Sequence, residues 1–96
     1  MLCFDTIRFD LGARVLTVDD MSILLTPTEY SICEYLARHR GQVFSRGQIR
    51  EAALGWDSDA NEDVVSMHVS NARAKLLDAG AEPIATVWGV GYRWQL

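Results

Sequence analysis

The chain predicts an α+β fold made of a small antiparallel meander, three helices and a closing β-hairpin. Three observations predict it. Apolar and polar residues alternate at period two through the first quarter, as a half-buried strand requires. Two capping signatures, Thr26-Pro27-Thr28-Glu29 and Ser45-Arg46-Gly47-Gln48, open helices in the middle of the chain. The last third, VVSMHVSNARAKLLDAGAEPIATVWGVGYRW, reads as one amphipathic helix, a short Gly/Pro link and a hairpin closed by Gly89-Val90-Gly91.

Taken in order, Phe4, Thr6, Arg8 and Asp10 alternate with Asp5, Ile7 and Phe9, a strand pattern through 4–10. Arg14-Val15-Leu16-Thr17-Val18 follows the break at Leu11-Gly12-Ala13, and Asp19-Asp20 marks a tight turn into Met21-Ser22-Ile23-Leu24-Leu25. Thr26 caps the first helix, Pro27 takes the first helical position, where its missing N–H costs nothing, and Glu29 reaches back to complete a capping box. Tyr30, Cys33, Leu36 and Ala37 share one face, Arg38 and Arg40 complement the C-terminal dipole, and Gly41 stops the helix. Val43-Phe44 suggests a short strand before the second helix, which turns Ile49, Ala52 and Ala53 inward. A polar loop, LGWDSDANE, leads to the third helix, where Asn61 caps and Glu62 and Asp63 suit the positive end of the dipole. Ala79-Gly80 ends it. Pro83 has no N–H to donate and confines the next strand to an edge start.

Ninety-six residues make one domain, 1–96. A composition of 49% hydrophobic and 23% charged residues is that of an ordinary soluble globular protein. No apolar run approaches the ~18 residues of a transmembrane helix. The acids in MLCFDTIRFDLG do not suit a secretory or transit signal, so no membrane association and a cytoplasmic location are expected. Cys3 and Cys33 match no redox or ligand spacing and are expected as small buried apolar residues. His39 and His68 lack a second ligand at metal spacing; neither a metal nor a cofactor is expected. Gly89-Val90-Gly91 precedes Tyr-Arg-Trp rather than Lys-Ser/Thr, so it is no phosphate loop. With no assignable carboxylate pair or Ser/His arrangement, the chain is not expected to be an enzyme. The net charge of −4 opposes strong non-specific binding to polyanions.

A helix presented for contact and followed at once by a ribbon is the recognition-helix-and-wing layout of winged helix-turn-helix DNA binders. At ~100° per residue, Val65, Val69, Ala72 and Leu76 form a buried stripe with His68 beside it, each large apolar side chain contributing about 1.5–3 kcal/mol. The opposite crest carries Asp63, Met67, Ser70, Asn71 and Ala74, with Ser66 at its edge and Arg73 and Lys75 on the flanks. Asn71 can pair bidentately with adenine, Ser70 can donate or accept, and Met67 or Ala74 can touch a thymine methyl. None reads guanine as Arg does, and Asp63 would repel phosphates. The same crest also fits a solvated face with no partner. Arg38, Arg40, Arg46 and Arg50 gather where a helix-turn-helix lies near the DNA backbone. With Arg73, Lys75 and Arg93 they can supply phosphate contacts, or be scattered surface charges.

Four motifs stand in order: Leu25-Thr26-Pro27-Thr28-Glu29-Tyr30, Gly41-Gln42-Val43-Phe44-Ser45-Arg46, His68-Val69-Ser70 with Arg73-x-Lys75-Leu76, and Thr86-Val87-x-Gly89-Val90-Gly91-Tyr92-Arg93. Over nearly the whole chain they resemble the C-terminal effector domain of OmpR/PhoB-type response regulators, bacterial transcription factors of two-component phosphorelays. The resemblance implies a winged helix-turn-helix with a four-stranded N-terminal sheet, three helices and a C-terminal hairpin wing. It implies binding of double-stranded DNA, head-to-tail on direct repeats. It also implies an upstream phosphorylatable receiver domain; the chain carries none, so it is expected to be a fragment that dimerises through the missing portion. The loop between the second and third helices, with Gly55, Trp56, Asp57, Ser58 and Asp59, is implied to touch RNA polymerase.

The departures from the family pattern fall at contact positions. Asp63, Asn71 and Ala74 stand where the family usually carries basic residues, and Trp88 replaces the wing arginine, while Arg73, Lys75, Thr86 and Arg93 are retained. The expected interface is therefore Ser66, Met67, Ser70, Asn71, Arg73, Ala74, Lys75, Thr86, Trp88 and Arg93, with Arg46 and Arg50 at the backbone. Trp88 is expected to pack against its own hairpin, a wedge into DNA being the other reading. Fewer cations mean weak, salt-sensitive binding by the domain alone, offset when dimerisation raises the effective concentration of the second half. The alternative function is a winged helix turned to protein contact, with RNA polymerase or a partner regulator. The uncharged crest beside Asp57, Asp59, Glu62 and Asp63 motivates it.

Overall fold

The computed structural model describes residues 2–55 and 61–96. Strands β1 (Leu2–Phe4), β2 (Ile7–Asp10), β3 (Val15–Val18) and β4 (Met21–Ile23) form an antiparallel sheet in chain order. The pattern expected as one strand through 4–10 is broken at Asp5-Thr6, where Asp5 takes a left-handed φ of 55° and Phe4 pairs with Ile7. Phe4, Ile7 and Phe9 are all buried. The odd step from 4 to 7 fits one buried face only if the chain reverses between them. Asp19 and Asp20 form the expected tight turn, both at positive φ (50° and 65°), as a two-residue hairpin loop demands. Strand β4 stops at Ile23 rather than Leu25, leaving Leu24 exposed.

Helices α1 (Pro27–Arg38), α2 (Arg46–Ala53) and α3 (Glu62–Asp78) begin at the expected caps. Glu29 N–H donates to Thr26 Oγ1 at 3.2 Å and Thr26 N–H to Glu29 Oε1 at 3.0 Å, a reciprocal box that Ser45 and Gln48 repeat for α2. Asn61 Oδ1 accepts from the backbone N–H of Asp63 and Val64, capping α3. In α1, Tyr30, Cys33, Leu36 and Ala37 are buried, joined by Ile32 and Glu29. In α2 only Ile49 is buried; Ala52 is exposed and Ala53 half-buried, because so short a helix turns a narrow stripe to the core. The stripe Val65, Val69, Ala72 and Leu76 of α3 is buried as its spacing requires.

Strands β5 (Ile84–Val87) and β6 (Gly91–Trp94) form the C-terminal hairpin, turning at Trp88-Gly89-Val90 with Gly89 at φ 78°. Val43-Phe44 makes no strand of its own. Phe44 instead forms a single bridge to Tyr92, exchanging two backbone hydrogen bonds of 2.9 Å. Gly91 thus belongs to β6 rather than to the turn, and its lack of a side chain serves another purpose: a Cβ there would lie 1.9 Å from the Phe44 carbonyl oxygen. Trp94 packs its ring 5.4 Å from Phe4 and 5.6 Å from Phe9, and Phe9 meets Tyr30 at 6.0 Å, so the core joins the sheet, α1 and the hairpin. Of the two cysteines expected in the interior, Cys33 is buried, but Cys3 lies on the outer face of β1 and is exposed. No helix among the described residues is long and apolar enough to cross a membrane.

Candidate nucleic-acid interface

Because α3 commits Val65, Val69, Ala72 and Leu76 to the core, its opposite side must face outward. Met67, Ser70, Asn71 and Ala74 are all exposed there, forming an unbroken amide, hydroxyl and methyl crest. The hairpin stands against the same helix. Arg73 Nη1 donates to Thr86 Oγ1 at 2.7 Å, and Tyr92 Oη donates to Ser66 Oγ at 3.4 Å, so two contacts fasten the helix to the ribbon. Between them lies a cleft of about 320 Å³ lined by Arg46, Ser66, Thr86, Trp88 and Tyr92, among others. Trp88 does not pack on its hairpin as expected: it is 89% exposed at the turn, with Val90 also exposed beside it. A three-residue turn holds both side chains beyond the reach of the strands they join.

The cations divide into two groups. Arg73 and Arg93 are exposed near the crest and ribbon. Arg46 is ion-paired, its Nη1 lying 3.1 Å from Asp63 Oδ1. Lys75 turns away from the crest and donates to Glu29 Oε1 at 2.6 Å across the α1–α3 contact. Arg38 pairs with Glu34 one turn back, and Arg40 lies over the Phe4 ring, so neither joins the interface in this arrangement. Arg50 is half-buried on α2. A continuous basic band through Arg46, Arg50, Arg73 and Lys75 is thus interrupted by Asp63 at one end and by Glu29 at the other. Gly55 follows α2 at φ 84°, while Trp56, Asp57, Ser58 and Asp59 lie outside the described residues.

Comparison with known proteins places this arrangement. The family model for "Transcriptional regulatory protein, C terminal" matches residues 20–94. The chain belongs to that family of OmpR/PhoB-type effector domains. SpaR, a transcriptional regulatory protein of Bacillus subtilis, is 38% identical over 87 residues, which are 91% of this chain and 40% of SpaR. Among solved structures, the DNA-binding domain of the response regulator AdeR, determined in complex with an intercistronic region, superposes with a TM-score of 0.90 at 30% identity, covering 100% of both chains. The DNA-binding domain of CpxR from E. coli gives 0.83 at 32% identity, covering 98% of this chain and 94% of that one. The chain spans about two fifths of the length of curated relatives such as SpaR.

Two features of this effector domain were hidden in its sequence. The Arg46–Asp63 pair joins residues 17 apart on different helices, and no local spacing announces it. Tyr92 looks like one more aromatic of the hairpin, yet its hydroxyl reaches the edge of the α3 crest at Ser66.

Proposed function

We propose that this effector domain binds double-stranded DNA, with α3 in the major groove and the hairpin as a wing along the backbone and minor groove. Asn71 and Ser70 read base edges there, Met67 and Ala74 approach thymine methyls, and Arg73, Thr86 and Arg93 hold the sugar-phosphate backbone. One observation carries the reading: the crest is exposed to solvent, and its helix is tied to the ribbon by the Arg73–Thr86 hydrogen bond. Lys75 acts in this scheme through the fold, because Glu29 holds its ammonium.

The full protein would use the domain as the output of a two-component response regulator, bound as pairs on direct repeats. A receiver domain upstream would bring the two halves together, and the segment after α2 is the candidate contact for RNA polymerase. Low intrinsic affinity suits that design, since pairing multiplies two weak contacts.

The test is a titration of direct-repeat duplexes at low salt, about 50 mM, with the domain alone and fused to a dimerising segment. Binding that weakens steeply with salt is expected, and Asn71→Ala should relax preference at one base pair by about 1–3 kcal/mol. If the dimerised protein ignores every duplex, the crest serves a protein partner instead, a use its uncharged surface also suits.

A further inference from the structure

We infer that Asp63 is a built-in competitor for Arg46, occupying the guanidinium that a DNA phosphate would otherwise hold and thereby setting how tightly the domain grips a duplex. The inference rests on the DNA-binding reading and adds a residue that tunes it.

Arg46 begins α2 and Asp63 lies in the first turn of α3, so the pair bridges the two helices of the helix-turn-helix unit at their N-terminal ends. Arg46 also lines the cleft between α3 and the wing, beside the hydroxyl-bearing residues Ser66, Thr86 and Tyr92. That is donor chemistry suited to a phosphate oxygen. The helix preceding a recognition helix is the element that lies against the DNA backbone, which is where a freed Arg46 would act. Asp63 keeps it engaged at 3.1 Å. A second carboxylate stands close by: Glu62 Oε1 lies 2.8 Å from where a Cβ on Gly47 would be. The corner is therefore acidic at the point where a backbone contact is otherwise well furnished.

The pair is built to exchange. Its side chains are 42% and 87% exposed, and ion pairs so open to water are weak and screened by salt. A phosphate on a duplex brings counterion release as well as charge, and can displace a single carboxylate. Asp63 does not depend on Arg46 for its place, since the helix dipole and the Asn61 cap already favour an acid there. It can let go without unravelling the helix.

A double-mutant cycle on one duplex, followed across salt concentrations, tests this. Asp63→Asn should tighten binding by roughly three- to tenfold at low salt and steepen the salt dependence by about one further contact. In an Arg46→Gln background the same change should bring little or no gain. An equal gain with and without Arg46 would overturn the inference, leaving Asp63 as general repulsion only. Weaker binding or altered base preference in Asp63→Asn would also overturn it, making Asp63 a base-reading group. If no variant and no parent protein binds any duplex, the DNA reading itself falls and this inference with it. Thermal melts of all four proteins establish that the comparison is between folded molecules.

Discussion

Glu29 does two jobs within one turn of helix: it closes the α1 capping box and receives the Lys75 ammonium while only 2% exposed. Burial pushes its carboxyl pKa up. Hydrogen bonds from Lys75 and the Thr26 backbone, with the positive charge of Lys75 and His68, outweigh burial and hold it below its ordinary 4.5. A depressed carboxylate stabilises the fold above its unfolded pKa and loses that contribution as pH falls through the folded value. Lys75→Ala should therefore cost about 2 kcal/mol near neutral pH, less than for a fully buried pair because water reaches Lys75. The deficit should shrink as the pH falls, because without Lys75 burial favours the neutral carboxyl and the stranded group takes up a proton more readily than in the parent protein. Urea titrations at neutral and acid pH check both parts, and a deficit unchanged by acid would refute the electrostatic account. The cysteines diverge for a related reason. Burial, helped by the charge of Glu29, pushes the Cys33 thiol up to about 12, while Cys3 is exposed. A thiol reagent at neutral pH should modify one cysteine quickly and the second only on unfolding.

Each helix start was legible as an element, because a cap is a local arrangement that needs only its own few residues, a reciprocal box for α1 and α2 and the Asn61 side chain for α3. Strand limits were less so. The reversal at Asp5-Thr6 places an aspartate at positive φ, a conformation that tertiary pairing imposes on a residue with only a mild preference for it. Gly91 shows the same limit from the other side. Its neighbours suggest a turn glycine, whereas its real constraint is the Phe44 carbonyl across the chain, where the linker before α2 joins β6. Gly91→Ala should force the two backbones apart, destabilising the domain by about 1–3 kcal/mol or more. Amide exchange should quicken at Phe44 and Tyr92, whose N–H groups make the bridge. A fully stable Gly91→Ala protein with the bridge protected would show that the contact yields easily.

Among the described residues, several cations are engaged within the chain before any ligand arrives. Arg8, Arg38, Arg46 and Lys75 each pair with a carboxylate, and Arg14 bonds Ser31 and covers the Tyr30 ring. The crest of α3 is left neutral at Ala74 and the wing tip apolar at Trp88. Two variants should separate these contributions. Ala74→Arg should strengthen duplex binding and steepen its salt dependence by roughly 0.9 in log–log slope if the new guanidinium meets a phosphate. Trp88→Ala should weaken binding with the slope unchanged, since an apolar wedge or stack displaces no counterion. A changed slope for Trp88→Ala would mean that the wing moves its charged neighbours instead.

The sequence by itself determined the succession of N-terminal sheet, three helices and closing hairpin, the caps, the buried stripe of α3, the outward crest and the winged-helix family, because these rest on short-range periodicity and on motifs that keep their spacing. Only the tertiary structure decided which charges are available. Lys75 meets Glu29 across 46 residues and Arg46 meets Asp63 across 17, and each guanidinium or ammonium has a long enough stem to point toward a groove or into the fold. Which way it turns depends on the carboxylate that packing brings within reach, and that is a property of three dimensions rather than of the chain.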